Sequence, residues 1–124
     1  MQFKLSKSHR YWWPVMVHIP DPDAPGKLIM QELQVQFEPL TRDEFLSAQE
    51  AAAKMTTMRE LADHEVAQAR RIVKNWQGVV DGDGEILPFS EPDLDVALQQ
   101  PWFRKAVNDA LTQSMNGEEA RLGN

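Results

Sequence analysis

Residues 43–77 read DEFLSAQEAAAKMTTMRELADHEVAQARRIVKNWQ, and the predicted architecture depends on these residues more than on any others. Their apolar side chains recur every three or four positions, as on one face of an α-helix. The stripe comprises Phe45, Ala48, Ala52, Met55, Met58, Ala62, Val66, Ala69, Val73 and Trp76. No Gly or Pro interrupts it, so it predicts one long helix of about 50 Å, continuous or gently kinked. The alternative is a break near Thr56 and Thr57, because adjacent β-branched residues weaken helix propensity.

Both ends of this predicted helix carry terminal signals. Thr41 and Glu44 have the spacing of a capping box, in which each side chain satisfies a free backbone donor of the first turn. Gly78 is well placed to end the helix. A domain of 124 residues cannot bury a helix of this length against itself, so part of the stripe is expected to stay uncovered.

The uncovered part of the stripe is the predicted partner-binding site, formed by Met55, Met58, Ala62 and Val66. Methionine side chains are flexible and adapt to irregular apolar surfaces, which suits contact with another helix. We therefore expect self-association or the binding of another protein. The tip of the N-terminal hairpin is a weaker candidate for the same role.

The hairpin is predicted from two segments with period-two alternation. In residues 13–19 and again in residues 33–37, apolar side chains alternate with others, which is typical of half-buried strands. Between them lies Pro20–Lys27, which contains three prolines and Gly26. This composition predicts a long, stiff loop rather than a two-residue turn.

Two shorter helices are predicted towards the C-terminus. Ser90 is a plausible N-cap for a helix that runs through Leu98, and Pro101 then opens a second helix that ends at Gly117. The predicted fold class is α+β, with an N-terminal β-hairpin followed by a mainly α-helical body of one long helix and two shorter C-terminal helices. We predict a single domain over residues 1–117, with a hairpin region at 1–40 and a helical region at 41–117, and a disordered tail at 118–124.

Charge and cysteine content narrow the classes of function. The formal net charge is -6 and the sequence pI is about 5.0, which disfavours general attraction to nucleic acid or to anionic membranes. The chain has no cysteine, which excludes disulfides and cysteine-based metal centres. No apolar run approaches the roughly 20 residues that span a bilayer. We expect a cytosolic protein whose partners are proteins.

No motif predicts an enzyme. Residues 81–85 resemble the start of a calcium loop, but Ile86 and Pro92 stand where that loop needs Gly and Glu. His64 opens a zinc-protease-like helix motif, yet Gln68 replaces its second histidine. No serine lies in a nucleophile elbow, and the glycines lack the spacing of a phosphate loop. We predict no catalytic residue, no metal site and no cofactor.

Motifs along nearly the whole chain resemble the small tail assembly chaperones of long-tailed bacteriophages and prophages. In the first half the resemblance is carried by Trp12-Trp13-Pro14-Val15, the loop Pro20–Lys27, Phe37, Leu40 and Thr41. In the second half it is carried by Arg71–Asp81, Gly84, Leu87-Pro88-Phe89-Ser90, Leu94, Leu98, Pro101-Trp102, Arg104, Ala106 and Val107. These motifs are structural in character and contain no catalytic signature.

The resemblance implies a role in virion assembly. Such chaperones bind the long, helical, aggregation-prone tape measure protein in the host cytoplasm, keep it soluble, help to bring tail-tube subunits to it, and are absent from the finished particle. Many relatives also have a frameshifted longer form, and a chain ending at Asn124 is expected to be the short form. Two alternatives stay open: a structural virion component of the tail or connector, and a small acidic inhibitor or regulator of a host protein.

Overall fold

The chain forms strands and helices over residues 1–120, the part that the computed structural model describes. In chain order the elements are β1 (Tyr11–Pro20), β2 (Leu28–Phe37), α1 (Arg42–Ala53), α2 (Met58–Ile72), β3 (Val73–Gln77), α3 (Glu91–Leu98) and α4 (Pro101–Met115). Within these described residues, a three-stranded antiparallel sheet combines with four helices in a small α+β domain.

The sheet has the strand order β1-β2-β3. All ten residues of β1 pair with β2, from Tyr11 opposite Phe37 to Pro20 opposite Leu28. β3 pairs only with the last four residues of β2, and a bulge at Lys74 interrupts the register. The hairpin of β1 and β2 therefore projects beyond the third strand.

The predicted fold class is wrong in its central element, because the long helix does not exist. α1 ends at Ala53, and α2 begins only at Met58. Thr57 is extended and caps α2 by accepting a hydrogen bond from the Glu60 amide at 3.0 Å. The alternative of a break near Thr56 and Thr57 describes this point correctly. Two β-branched residues, one of them a good N-cap, favour a new helix start over continuation.

A second correction concerns residues 73–77, predicted to be helical, which form the edge strand β3. Val73 already has extended backbone angles, φ -87° and ψ 114°, and pairs with Phe37. Gly78, with a φ of 83°, follows a strand and does not end a helix. The N-terminal hairpin is thus part of a three-stranded sheet, and the helical body predicted for residues 41–117 contains one of its strands.

The cap at Thr57 gives a direct test of the helix break. Thr57→Ala removes the hydroxyl that accepts from Glu60, and we expect the free energy of unfolding to fall by about 1 kcal/mol. Thr56→Ala is the matched control, since the same side chain is removed one residue away without loss of the cap. Urea unfolding followed by tryptophan fluorescence measures both variants. Equal effects of the two substitutions would contradict the cap.

One face of the sheet and the helices share a single hydrophobic core. The buried residues of this core are Val15, Val17, Leu33, Val35, Phe37, Val73, Trp76, Leu94, Leu98, Phe103, Ala106, Val107 and Ala110. α4 packs mainly against β1, where the small side chains of Ala106 and Ala110 permit close approach. The Tyr11 hydroxyl also hydrogen-bonds to the Ser114 hydroxyl at 2.7 Å, which links the start of β1 to the end of α4.

The structure describes only part of the predicted disordered tail at residues 118–124. Residues 118–120 carry no helix or strand, whereas residues 121–124 of the predicted disordered tail lie outside the described residues. The domain boundaries therefore stay predictions.

Candidate partner-binding site

An open groove lies between α2 and α4 and has a volume of about 530 Å³. Its apolar lining comes from Ala62, Val66, Ala69 and Ile72 of α2, Val107 and Leu111 of α4, Val73 of β3 and Leu98 of α3. On each helix these residues are three or four positions apart, so that one face of α2 looks onto one face of α4. The arrangement is a hydrophobic trough with two helical walls.

The two helices that border the groove share α3 as a neighbour but otherwise pack on different strands. α2 contacts α3 and β3, whereas α4 contacts β1 and α3. Val73 and Leu98 are buried and form the floor. The walls are mostly half-buried, except that Val107 is buried and the outermost residue, Ala62, is exposed. Apolar surface between two helices is the usual docking place for a third amphipathic helix.

The rim of the groove is polar. His64, Glu65 and Gln68 lie along α2, and Arg104 lies on α4. The Arg104 guanidinium donates to the Leu98 carbonyl at 2.7 Å and so closes the free C-terminal end of α3. The rim can set the orientation of a bound helix, while the floor supplies apolar contact.

The structure separates the four residues predicted to bind a partner. Ala62 and Val66 lie together on the wall of the groove. Met55 is half-buried in the connection between α1 and α2, and Met58 starts α2 with 87% of its surface exposed. Neither methionine lines the groove, because the helix break at Thr57 removes the shared face on which the prediction rested.

Sequence reasoning missed the second wall. The predicted partner-binding site does not include Val107 and Leu111 of α4 or Leu98 of α3, all of which line the groove. Their apolar spacing was visible, but a spacing does not reveal which neighbouring helix stands opposite. Only the packing of α3 between α2 and α4 makes these residues part of a shared surface.

Two ion pairs hold α2 in place. Arg70 pairs with Asp95 of α3, and its Nε donates to the carboxylate at 2.9 Å. Arg71 pairs with Glu44 of α1 at 2.8 Å. The hydrogen bond from Arg70 lowers the pKa of the Asp95 carboxyl below its ordinary value. For Glu44, the hydrogen bonds of its capping box with Thr41 are the largest cause of a lowered pKa, with Arg71 adding to it.

The pKa of Asp95 predicts an acid-dependent loss of stability. Because this pKa is lower in the folded chain, the ion pair stabilises the fold above about pH 3.9, the value for an unfolded Asp. The contribution disappears as the pH falls through the lowered pKa. We expect Asp95→Asn to reduce the melting temperature at pH 7 and to flatten its pH dependence below pH 4.

Thermal unfolding between pH 2 and pH 7 measures this effect. Asp63→Asn, a change at an exposed residue of α2, is the matched control and should leave the pH profile as it is. The interpretation fails if Asp95→Asn and the native chain lose stability in parallel on acidification.

Residues 81–85, whose sequence resembles the start of a calcium loop, form a local turn. The Asp81 carboxylate accepts hydrogen bonds from the backbone amides of Asp83, at 2.8 Å, and Glu85, at 3.0 Å. Val80 and Ile86 pair on either side of it. Over residues 1–120, no group of three or more metal-ligating side chains is placed to hold a metal ion. In the same range, no helix combines the length and apolar character needed to cross a membrane.

Comparison with protein-family models, with curated proteins and with solved structures gives no match to this chain. The resemblance to tail assembly chaperones therefore stays a prediction from the residues that carry it. The exposed apolar groove is the structural feature on which a functional proposal can be built.

Proposed function

We propose that this chain is a phage or prophage tail assembly chaperone that acts in the host cytoplasm and holds an apolar helical stretch of the tape measure protein. The proposal combines the family resemblance with one structural observation, the open groove between α2 and α4. It assigns binding as the function and no catalysis.

The dimensions of the groove suit a helix. The residues that line the groove run from Ala62 to Ile72 on α2 and from Arg104 to Leu111 on α4, so the two walls are roughly 15 Å and 10 Å long. A partner helix of that length presents about four apolar residues at i, i+3, i+4 and i+7 to such a trough. The lining is mainly aliphatic, so it discriminates weakly between apolar stripes. Weak discrimination suits a partner with many similar helical stretches.

Exposed apolar residues beside the groove extend the same surface. Met58 and Leu61 are exposed on α2 next to Ala62. Met58 therefore keeps a role in the proposal as a peripheral contact, although it does not line the groove. The formal net charge of -6 would keep a complex with an aggregation-prone partner dispersed through mutual repulsion.

Co-expression with the cognate tape measure protein tests the proposal. We expect the chain to raise the soluble fraction of that protein and to copurify with it. Ala62→Glu places a charge on the wall of the groove and should abolish both effects. Ala67→Glu makes the same change on the same helix at an exposed residue outside the groove, and should leave both effects intact.

Circular dichroism of the two variants shows whether each remains folded. The proposal is wrong if the tape measure protein is as insoluble with the native chain as without it. If it becomes soluble but Ala62→Glu and Ala67→Glu behave alike, another surface of the chain binds it.

Two measurements distinguish a chaperone from the alternatives. Mass spectrometry of purified particles should fail to detect the chain, whereas a structural tail or connector subunit would be present at fixed stoichiometry. A pull-down from uninfected host extract should recover no stoichiometric partner. Recovery of a single host protein would instead favour an inhibitor or regulator.

A further inference from the structure

The outer edge of β1 is open. Within residues 1–120 its only neighbour in the sheet is β2. The Glu38 amide, just after β2, donates to the Ile72 carbonyl at 2.8 Å. Backbone groups of alternate residues in a strand point to the same side, so the even-numbered residues of β2 direct their amides and carbonyls towards β3. Odd-numbered residues of β2 therefore bond to the odd-numbered residues of β1 that lie opposite them. It follows that even-numbered residues of β1 direct their amides and carbonyls outwards.

The prolines of β1 agree with this assignment. Pro14 and Pro20 both occupy even positions, where a missing amide costs no hydrogen bond to β2. Trp12, Met16 and His18 keep their outward amides. No backbone hydrogen bond from outside the β1–β2 pair reaches these three residues in the described part of the chain. The edge thus offers three donors and a row of carbonyls to an added strand.

A second groove, of about 770 Å³, runs along this edge. Pro14, Met16 and His18 form one side, and α4 forms the other through Trp102, Ala106 and Asp109. A strand edge with a helix beside it is the arrangement that accepts an extended peptide, since backbone hydrogen bonds form on one side and side chains enter the groove.

The chain itself contains a segment suited to that groove. Residues 1–8, which we call the N-terminal arm, are exposed throughout. Phe3 and Leu5 are 88% and 87% exposed and would share one face of an extended strand. Lys4 and Lys7 make the arm basic, whereas all 19 acidic residues lie from Asp21 onwards. The arm is therefore attracted to the body of another copy.

The arm is poorly placed to bind its own edge. His9 stacks on Tyr11 with ring centroids 5.4 Å apart, and Arg10 pairs with Glu38, beyond β2, at 3.5 Å. These contacts hold the base of the arm over the start of β1 and towards β2. If the arm folded back to pair with the outer edge of its own β1, these two contacts would break. An arm from a second copy meets no such constraint.

We infer that two copies of this chain exchange their N-terminal arms, each arm adding a fourth strand to the β1 edge of the other copy beside α4. Eight extended residues span about 26 Å, which fits within the ten residues of β1. Phe3 and Leu5 face α4 in this arrangement. The surface is distinct from the groove between α2 and α4, so the inference does not depend on the proposed function.

Light scattering of the full chain, with matched variants, tests the exchange. The native chain should be a dimer. The double variant Phe3→Glu and Leu5→Glu should be monomeric, whereas Gln2→Glu with Ser6→Glu adds the same charge to the other face of the arm and should stay dimeric. Met16→Pro removes an outward donor at an even position and should weaken dimerisation at least tenfold, while Met16→Leu should not.

An intermolecular contact is measured directly with a spin label on Ser6→Cys in unenriched chain mixed with ¹⁵N-labelled native chain. The amides of Met16, His18 and Asp109 should broaden in the labelled chain. A monomeric native chain, broadening confined to other surfaces, or equal loss of dimer in both arm variants would overturn the exchange. Loss of the dimer in Ala62→Glu would instead assign the interface to the groove between α2 and α4.

Discussion

Replacing Phe37 by Ala lowers the free energy of unfolding by about 3–5 kcal/mol, the range for a fully buried Phe in a well-packed core. Phe37 has 0% of its surface exposed. It stands opposite Tyr11 in β1 and Val73 in β3, and its ring lies edge-on to that of Tyr11 with centroids 6.1 Å apart. The cavity left by the substitution would therefore lie between all three strands. A loss of this size is a large part of the stability of a small domain.

Equilibrium unfolding in urea measures the loss. Phe45→Ala is the matched control because Phe45, in α1, is 51% exposed. We expect it to cost less than about 1 kcal/mol, as surface substitutions usually do. Similar losses in the two variants would mean that Phe37 is not at the centre of the core.

Trp76→Ala is expected to cost a similar 3–5 kcal/mol, because a buried indole is removed. Trp76 lies in β3, and its indole nitrogen donates to the Leu87 carbonyl at 3.0 Å. Its ring also packs edge-on against Phe89, with centroids 5.2 Å apart. The side chain thus fastens the segment between β3 and α3 to the sheet.

Trp76→Phe separates packing from hydrogen bonding. The aromatic ring is largely kept and the bond to Leu87 is lost, so we expect a smaller cost, of about 1–3 kcal/mol, from the carbonyl left unpaired. Calorimetry gives both values. Proteolysis should cut residues 79–89 first in Trp76→Ala. Resistance of this segment equal to that of the native chain would contradict the fastening role.

Local sequence signals locate much of this fold. Period-two alternation marks β1 and the second half of β2, where one face is buried and the other is not. The first three residues of β2, Leu28–Met30, are a continuous apolar run on the projecting part of the hairpin, and alternation does not detect them. The caps at Thr41 and Ser90 act within one turn and can be read from spacing alone.

The third strand shows where local reading fails. Val73 and Trp76 are three residues apart, which imitates a helical spacing. In the structure the bulge at Lys74 restores both side chains to the buried face of the sheet. Their strand conformation depends on pairing with β2, about 40 residues earlier in the chain. A non-local partner of this kind is invisible to periodicity.

The residues of the candidate site also differ in whether the sequence alone could predict them. Ala62 and Val66 could be found from the stripe of α2, because helix faces follow from spacing. The wall formed by α4 could not, since it depends on how two helices far apart in sequence pack around α3. Met55 shares a face with these residues only if the helix is continuous. Because α2 begins at Met58, Met55 does not line the groove, and its role in partner binding stays a prediction.

Hydrogen–deuterium exchange on the copurified complex with the tape measure protein tests the central claim most directly. If a partner helix occupies the groove between α2 and α4, exchange should slow in residues 58–72 and 101–115 relative to the free chain. Residues 42–53 of α1 should be unaffected. Unchanged exchange in α2 and α4, with slowing elsewhere, would contradict the groove as the binding site.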